Sequence, residues 1–132
     1  MGQVFSDVAI EHGVNPRNWG KPAEWNGWAR YKGPCGDTME IWLNLGRGKV
    51  ESANFWTDGC VSSIACGSAA TGLVKWRSLR EVAQLGQDDV LNALQGLPDD
   101  SVHCALLAAT TLKLALLDHL VGKAALADSR ET

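Results

Sequence analysis

The sequence predicts an α+β fold in which a small antiparallel sheet packs against several helices and a long helix lies near the C-terminus. Residues 38–45 alternate apolar and polar side chains up to a break at residues 46–48, which is typical of a β-hairpin. Residues 102–126 form a long and unusually apolar helical pattern. Such a helix has to be buried on much of its circumference, within the domain or against another subunit.

Length and composition indicate one ordinary domain spanning residues 1–132. Hydrophobic residues make up 45% of the chain and charged residues 20%, so the chain can bury a real core. A net charge of −3 offers no basic surface for nucleic acid, and no nucleic-acid partner is expected. The most apolar stretch, residues 105–112, is interrupted by Lys113, and no signal-like segment opens the chain. We therefore expect a cytoplasmic protein without a membrane partner.

The first quarter of the chain predicts one short helix followed by an irregular segment. Residues 3–12 mix apolar and polar side chains, which indicates an amphipathic helix that ends near Gly13. Residues 15–33 are rich in glycine and proline and include Trp19, Trp25 and Trp28. This composition predicts an irregular segment that its aromatic side chains anchor.

The predicted hairpin has two different faces. If Leu45 lies opposite Lys49, then Ala53 and Phe55 of the returning strand join the core face. That face of the first strand consists of Met39, Ile41, Leu43 and Leu45. The same register puts Trp42 and Trp56 together on the other face. Either another part of the protein covers these two indoles, or they form a contact surface.

The next predicted element is a helix over residues 59–76 that is rich in small residues. Asp58 is its expected N-cap, because a short carboxylate can accept hydrogen bonds from the free N–H groups of a first turn. The small side chains predict that this helix lies close against the sheet.

Three further helices are predicted. Ser78 caps a short helix that ends near Leu85, and residues 87–94 form another. Either Ser101 or Asp100 is the expected cap of the long helix over residues 102–126.

Three short cysteine motifs carry the candidate chemistry. Cys35 lies in a glycine-rich turn before the hairpin, whereas Cys60 and Cys104 fall in the opening turns of two predicted helices. Helix N-termini favour a thiolate over a thiol, and thiolates bind iron or zinc and attack sulfur. The long spacings exclude a zinc knuckle or ribbon, whose ligands come in close pairs. We expect one metal site that folding assembles from distant segments.

Other roles for the cysteines and histidines are less consistent with the sequence. Four cysteines allow two disulfides, but a reducing compartment would keep them as thiols. A single free cysteine is often a small buried hydrophobe, yet three in such positions are hard to explain this way. Cys66 lies well inside a predicted helix, so we expect it to be structural. His12 and His119 belong to no motif and are expected to be ordinary surface or interface residues.

Four motifs in register give the chain a family resemblance. They are Asn15-Pro16-Arg17-Asn18, Cys35-Gly36-Asp37, Asp58-Gly59-Cys60, and Leu97-Pro98 followed by His103-Cys104. Their order and spacing resemble the N-terminal IscU/NifU family of iron–sulfur cluster assembly scaffold proteins over nearly the whole chain. The resemblance implies an antiparallel sheet of about three strands packed against helices. It also implies that Cys35, Cys60 and Cys104 are the ligand cysteines, joined by Asp37 and His103.

The resemblance implies a scaffold or carrier rather than an enzyme. A cysteine desulfurase would hand sulfur to a thiolate, iron would bind at the same site, and an electron donor such as a ferredoxin would act in the reduction step. The product would be a labile [2Fe–2S] cluster for apo iron–sulfur recipient proteins. By this analogy Asp37 keeps the iron or cluster transferable, His103 is an alternate ligand or proton carrier, and Cys104 is the first choice as sulfur acceptor. A monomer or a homodimer is expected.

Two positions depart from the family pattern. Leu97-Pro98 continues as Asp99-Asp100-Ser101, whereas many relatives have a proline, a valine and a lysine that a dedicated Hsp70 chaperone reads. Chaperone-assisted release in its usual form is therefore not expected. Cys66 stands where the family commonly has serine, so a fourth thiol lies near the site.

Two other functions fit the same residues. One branch of the family binds zinc and works as a sulfurtransferase, and Cys35, Asp37, Cys60 and Cys104 would make a four-coordinate zinc site. That branch carries an insertion between its second and third cysteines, for which residues 60–104 leave no room. The other function is a non-catalytic interaction module, metal-free or holding structural zinc, with the tryptophans as its contact surface.

Overall fold

Three antiparallel strands and five α-helices make up residues 4–129, which the computed structural model describes with side chains for residues 4–122. In chain order the elements are α1 (Asp7–Val14), β1 (Gly27–Lys32), β2 (Thr38–Gly46), β3 (Lys49–Thr57), α2 (Val61–Val74), α3 (Leu79–Gln84), α4 (Gln87–Ala93), the 3₁₀ turn Asp99–Ser101 and α5 (Val102–Ser129). The sheet has the order β1-β2-β3, with α5 packed on β1 and β2 and α2 packed on β3. The predicted α+β fold with a long C-terminal helix is confirmed.

Strand β1 lies within the segment that the sequence predicts to be irregular, so that prediction is wrong for residues 27–32. Its buried positions include Gly27 and Ala29, while Trp28 is exposed. The buried positions of β1 thus hold small residues, whereas an exposed position holds tryptophan. A search for alternating large apolar side chains does not detect such a strand. Glycine is required at position 27 because a Cβ there would lie 2.7 Å from the carbonyl oxygen of Ala115 in α5.

The hairpin contains a bulge that the sequence did not indicate. Leu45 pairs with Val50 instead of Lys49, and the register shifts between Asn44 and Leu45. After the bulge, Ala53 and Phe55 again face the same side of the sheet as Leu43 and Ile41. The core face of the returning strand is therefore as predicted. Its pairs are Leu43 with Ala53 and Ile41 with Phe55, all of them buried.

Trp42 and Trp56 share the outer face of the sheet, as predicted, and line a cleft of about 530 Å³. The other lining residues are Lys21, Trp25, Trp28 and Glu40. Trp28 lies directly opposite Trp42 in the pairing of β1 with β2, and Trp42 is buried. Neighbouring tryptophans, rather than a second layer of secondary structure, thus surround the centre of this face.

Helix α1 begins later than predicted. Its N-cap is Ser6, whose hydroxyl accepts a hydrogen bond from the N–H of Ala9 at 3.0 Å. The helix therefore starts at Asp7 rather than at residue 3, and it ends at Val14.

Two histidines connect elements of the domain, so the prediction that they are ordinary surface or interface residues is wrong. His12 of α1 lies with its Nδ1 2.7 Å from the hydroxyl oxygen of Ser68 in α2. Burial is the main cause that lowers the pKa of His12. His119 of α5 is buried, with its Nδ1 3.0 Å from the carbonyl oxygen of Asn26.

Helix α2 lies close against the sheet, as its small residues predict. A Cβ at Gly67 would lie 2.8 Å from Cγ of Phe55 and closer still to Cδ2 and Cε2. The aromatic ring thus fills the space that a side chain at position 67 would need. The predicted range of this helix, 59–76, is slightly too wide at both ends.

The C-terminal half has the predicted order of helices. In α3 the Ser78 hydroxyl accepts the N–H of Glu81 at 3.1 Å, and the Glu81 carboxylate accepts the N–H of Ser78 at 2.9 Å, which is a capping box. Helix α5 starts at Val102 as predicted, but it continues directly from the 3₁₀ turn in place of the expected Ser101 or Asp100 cap.

Helix α5 is longer and more apolar than the stretch 105–112 suggested. Within the described residues, Asp99–Gly122 is long and apolar enough to cross a membrane, with a mean hydropathy of 1.6 in its most apolar window. Of that window, 56% is buried inside the protein. Length and composition alone do not separate a spanning helix from a core helix, and the packing on the sheet accounts for the inner face of α5.

Candidate metal centre

Three of the five predicted site residues come together at one end of the sheet. A carboxylate oxygen of Asp37 and the sulfur atoms of Cys60 and Cys104 all lie within 4.8 Å of one another. Asp37 immediately precedes β2, Cys60 immediately precedes α2, and Cys104 lies in the first turn of α5. Segments that are far apart in sequence thus supply one compact group of ligand atoms.

The loop before α2 is held by Asp58, but not as a helix cap. The Oδ1 of Asp58 accepts a hydrogen bond from the N–H of Thr38 at 2.8 Å, and its own N–H donates to the carbonyl of Thr38 at 3.2 Å. Cys60 occupies the N-cap position instead, so the predicted role of Asp58 is wrong. Asp58 fixes the start of β2 against the loop that presents Cys60.

The start of α2 favours the thiolate form of Cys60. Partial burial opposes ionisation, but the backbone N–H groups of Ser63 and Ser62 and the Ser62 hydroxyl outweigh it and lower the pKa of Cys60. Cys60 is also exposed to solvent. Cys60 is therefore an accessible thiol that ionises more readily than an ordinary cysteine.

Cys104 behaves differently, so the prediction that every motif cysteine favours the thiolate is wrong for this residue. It is only 1% exposed, and burial, followed by the nearby charges of Cys60, Asp37 and Cys35, raises its pKa to about 11. A hydrogen bond with Ser63 offsets part of this rise. Burial at the start of α5 thus outweighs any benefit from the helix N-terminus.

Ser63 is a residue of the site that the sequence did not single out. Its buried hydroxyl donates to Oδ2 of Asp37 at 2.9 Å and lies 3.5 Å from the sulfur of Cys104. One hydroxyl proton cannot serve both neighbours at once, so Ser63 donates either to Asp37 or to the sulfur of Cys104. Donation to the sulfur favours the thiolate and lowers the pKa of Cys104. Its position one helical turn after Cys60 was the available signal.

Glycine at position 59 makes room for this arrangement. A Cβ at Gly59 would lie 2.7 Å from Oδ2 of Asp37 and 2.5 Å from the hydroxyl oxygen of Ser63. Any larger residue would disturb the hydrogen bond between Ser63 and Asp37.

Cys35 and His103 lie beside the three-ligand group rather than in it. Both are exposed, and both line a pocket of about 200 Å³. The remaining lining of this pocket is Tyr31, Gly33, Pro34, Leu106, Leu107 and Thr110. The Nε2 of His103 is 3.6 Å from the sulfur of Cys104, and the turn of Cys35 includes Gly36 with a φ of 100°. A left-handed glycine next to Cys35 suits a tight turn.

Cys66 does not join the ligand group. It is fully buried in α2, and burial raises its pKa far above the ordinary cysteine range. A protonated buried thiol of this kind acts as a small apolar side chain, as expected for a structural cysteine.

The chemistry of the donor set fits a thiophilic metal or an iron–sulfur cluster. Two sulfurs and one carboxylate oxygen suit iron, zinc or a cluster better than magnesium or calcium, which prefer oxygen alone. Cys35 and His103 are adjacent side chains of the right type to complete the coordination.

Comparisons with known proteins agree with these features. The family model described as the NifU-like N terminal domain matches residues 4–125. The iron–sulfur cluster assembly scaffold protein IscU 1 of Archaeoglobus fulgidus is 37% identical over 117 residues, covering 88% of this chain and 76% of that protein. The IscU scaffold protein of Escherichia coli K12 is 36% identical over 121 residues, covering 88% of this chain and 94% of that protein.

A solved structure supports the fold. The N-terminal part of a NifU-like protein from Brucella abortus superimposes with a TM-score of 0.71 at 15% identity, covering 86% of this chain and 92% of that one. Together, the family model, the two relatives and the shared fold show that this chain belongs to the IscU/NifU N-terminal family.

Proposed function

We propose that the protein is a scaffold that builds a labile [2Fe–2S] cluster and passes it to apo iron–sulfur proteins. The observation that carries this proposal is the group of Asp37, Cys60 and Cys104, whose ligand atoms lie within 4.8 Å of one another at the ends of three separate elements. The relatives named above are iron–sulfur cluster assembly scaffold proteins. The cluster is cargo in this function, so the protein is a carrier and not an enzyme in the usual sense.

The proposed ligands differ in how strongly they hold iron. Cys60 and Cys104 supply soft sulfur, Cys35 is the proposed third thiolate, and Asp37 supplies a harder oxygen. A site with fewer than four thiolates holds a cluster less tightly, which suits a donor. His103, with Nε2 3.6 Å from the sulfur of Cys104, is the proposed alternate ligand or proton carrier.

Sulfur delivery requires a thiolate that can reach a partner. In this step the thiolate attacks the outer sulfur of a persulfide on a cysteine desulfurase. A new S–S bond forms on the scaffold, the old S–S bond breaks, and the desulfurase leaves as a thiolate. The family resemblance suggested Cys104 as the sulfur acceptor. The exposure of Cys60 and its lowered pKa instead support Cys60 as the first sulfur acceptor. After incubation with a desulfurase and free cysteine, peptide mass spectrometry shows which of the two residues, Cys60 or Cys104, first gains the mass of one sulfur atom.

Release of the cluster is proposed to proceed without the usual Hsp70 contact. Ser101 stands where the family motif has lysine, and its hydroxyl accepts a hydrogen bond from the Ser62 hydroxyl at 3.0 Å. This link holds the acidic segment against the start of α2. An electron donor such as a ferredoxin, a cytoplasmic location and a monomeric or homodimeric state remain predictions.

The experiment is anaerobic reconstitution with ferrous iron, sulfide and a reductant, followed by visible absorption and Mössbauer spectroscopy. The parent protein and Cys66→Ala are expected to hold a [2Fe–2S] cluster, because Cys66 is outside the ligand group. Cys60→Ala and Cys104→Ala are expected to lose most of it. Equal cluster content in Cys104→Ala and Cys66→Ala would contradict the site.

Zinc is the competing cargo because the same donor set suits it. Freshly isolated protein with equimolar zinc, no capacity for a cluster, and turnover as a persulfide acceptor would replace the scaffold proposal by a zinc-dependent sulfurtransferase. A protein that binds neither iron nor zinc would instead be an interaction module.

A further inference from the structure

Helix α5 has a second apolar face that the rest of the domain leaves exposed. Five apolar side chains on it are between 36% and 56% exposed: Leu106, Leu114, Leu117, Leu120 and Val121. At about 100° per residue they fall within an arc of about 120°. We call this arc the outer face of α5. The inner face, which includes Ala108, Leu112 and Ala115, is buried in the core.

The outer face has the spacing of a coiled-coil seam. Leu114, Leu117 and Val121 are separated by three and four residues, which places them at positions a, d and a of a heptad. Thr110, one d position earlier, lies in the same line and is half-buried. Side chains of this kind pack well against a second helix with the same spacing.

The charges on either side of the seam distinguish the possible partners. Lys113 takes position g and Asp118 takes position e, and both are exposed. Oδ2 of Asp118 accepts a hydrogen bond from the N–H of Trp28 at 2.9 Å, so Oδ1 is the oxygen that would meet a lysine of another copy. In a parallel pair of identical helices, a g residue lies near the e residue that follows five positions later on the partner, so Lys113 would face Asp118 of the other copy in both directions. In an antiparallel pair, g faces g and e faces e, and this attraction is lost.

We propose that two copies of this chain pair through the outer faces of their α5 helices, in parallel and about a two-fold axis. Self-complementary charges beside a self-complementary apolar seam favour a second copy over an unrelated apolar partner or a lipid surface, because only a second copy pairs Lys113 with Asp118 in both directions. The pairing covers the exposed leucines. It places the two candidate metal centres at the same end of the dimer, because His103 and Cys104 open each helix.

Sedimentation equilibrium of the metal-free full chain over a wide concentration range tests the seam. The parent protein is expected to dimerise reversibly, and Val121→Gln is expected to weaken the dimer at least about tenfold because each copy loses an apolar seam residue. Val14→Gln is the matched control, since Val14 is exposed at the end of α1 and away from the outer face. A parent protein that stays monomeric, or equal effects of the two valine variants, would overturn the proposal.

Charge variants test the direction of pairing. Lys113→Gln removes one attraction and Lys113→Glu sets two carboxylates against each other, so dimer affinity is expected to fall several-fold in that order, with a smaller effect at high salt. Lys75→Glu, at an exposed position outside the outer face, is the control for net charge. Circular dichroism checks that each variant keeps its helix content. A dimer that is insensitive to both changes at Lys113 would exclude the parallel arrangement.

Discussion

Replacement of Gly67 by alanine tests how closely α2 must approach the sheet. The added Cβ would lie 2.8 Å from Cγ of Phe55 and closer to two other ring carbons. Phe55 cannot easily move, because it is fully buried, pairs with Ile41 and packs edge-on against the Trp19 ring at 5.2 Å between centroids. The helix would therefore have to shift outward, together with Cys60 at its start.

The expected magnitude follows from two opposing effects. Alanine in place of glycine inside a helix gains up to about 1 kcal/mol. Overpacking of a tight core costs about 1–3 kcal/mol, and a contact this close belongs at the upper end. We expect Gly67→Ala to lower the free energy of unfolding by about 1–2 kcal/mol.

A control in the same helix isolates the steric effect. Gly72 has no atom within 4 Å of where its Cβ would lie, so Gly72→Ala should raise the free energy of unfolding by about 0.5–1 kcal/mol. Urea denaturation of both variants, with the slope m checked for constancy, measures the difference. If Gly67→Ala were as stable as Gly72→Ala, the close approach of α2 to Phe55 would be refuted.

Three further predictions concern the metal centre. Asp37→Ala should lengthen the lifetime of a reconstituted cluster, because it removes the hard oxygen donor from a sulfur site; an unchanged half-life counts against this role of Asp37. Ser63→Ala should raise the pKa of Cys104 above its value of about 11 and slow its alkylation relative to Cys60, as peptide mass spectrometry of the metal-free protein would show. The third is a pH dependence: the raised pKa of Cys104 leaves folding stability intact below the pKa of an unfolded cysteine, about 8.5. Stability should fall as pH rises from there through about 11, and less so in Cys104→Ala, as urea titrations at several pH values would measure.

The elements that the sequence predicted well have strong local signals. Ser78 caps α3 as predicted, and the alternation through Ile41 and Leu43 defines the core face of β2. The cysteine motifs likewise indicated which segments had to meet, and Cys60 and Cys104 do meet Asp37.

The features that escaped prediction depend on tertiary contacts. Strand β1 has small residues at its buried positions because α5 passes so close to Gly27, and no window of sequence contains both. The position of Cys104 at a helix start suggested a thiolate, but its burial by the rest of the domain decides the opposite. Ser63 looks like one of several small residues until the fold sets it between Asp37 and Cys104.

The packing of α5 also sets an order of events during synthesis. The sheet and α2 emerge from the ribosome before Cys104 does, and the inner face of α5 docks over strands that were made much earlier, including the Gly27 region. Long-range closure of this kind is slow compared with local helix formation. Until that last helix docks, Asp37 and Cys60 lack Cys104, the third member of their group. The group of Asp37, Cys60 and Cys104 therefore forms only when the domain is complete.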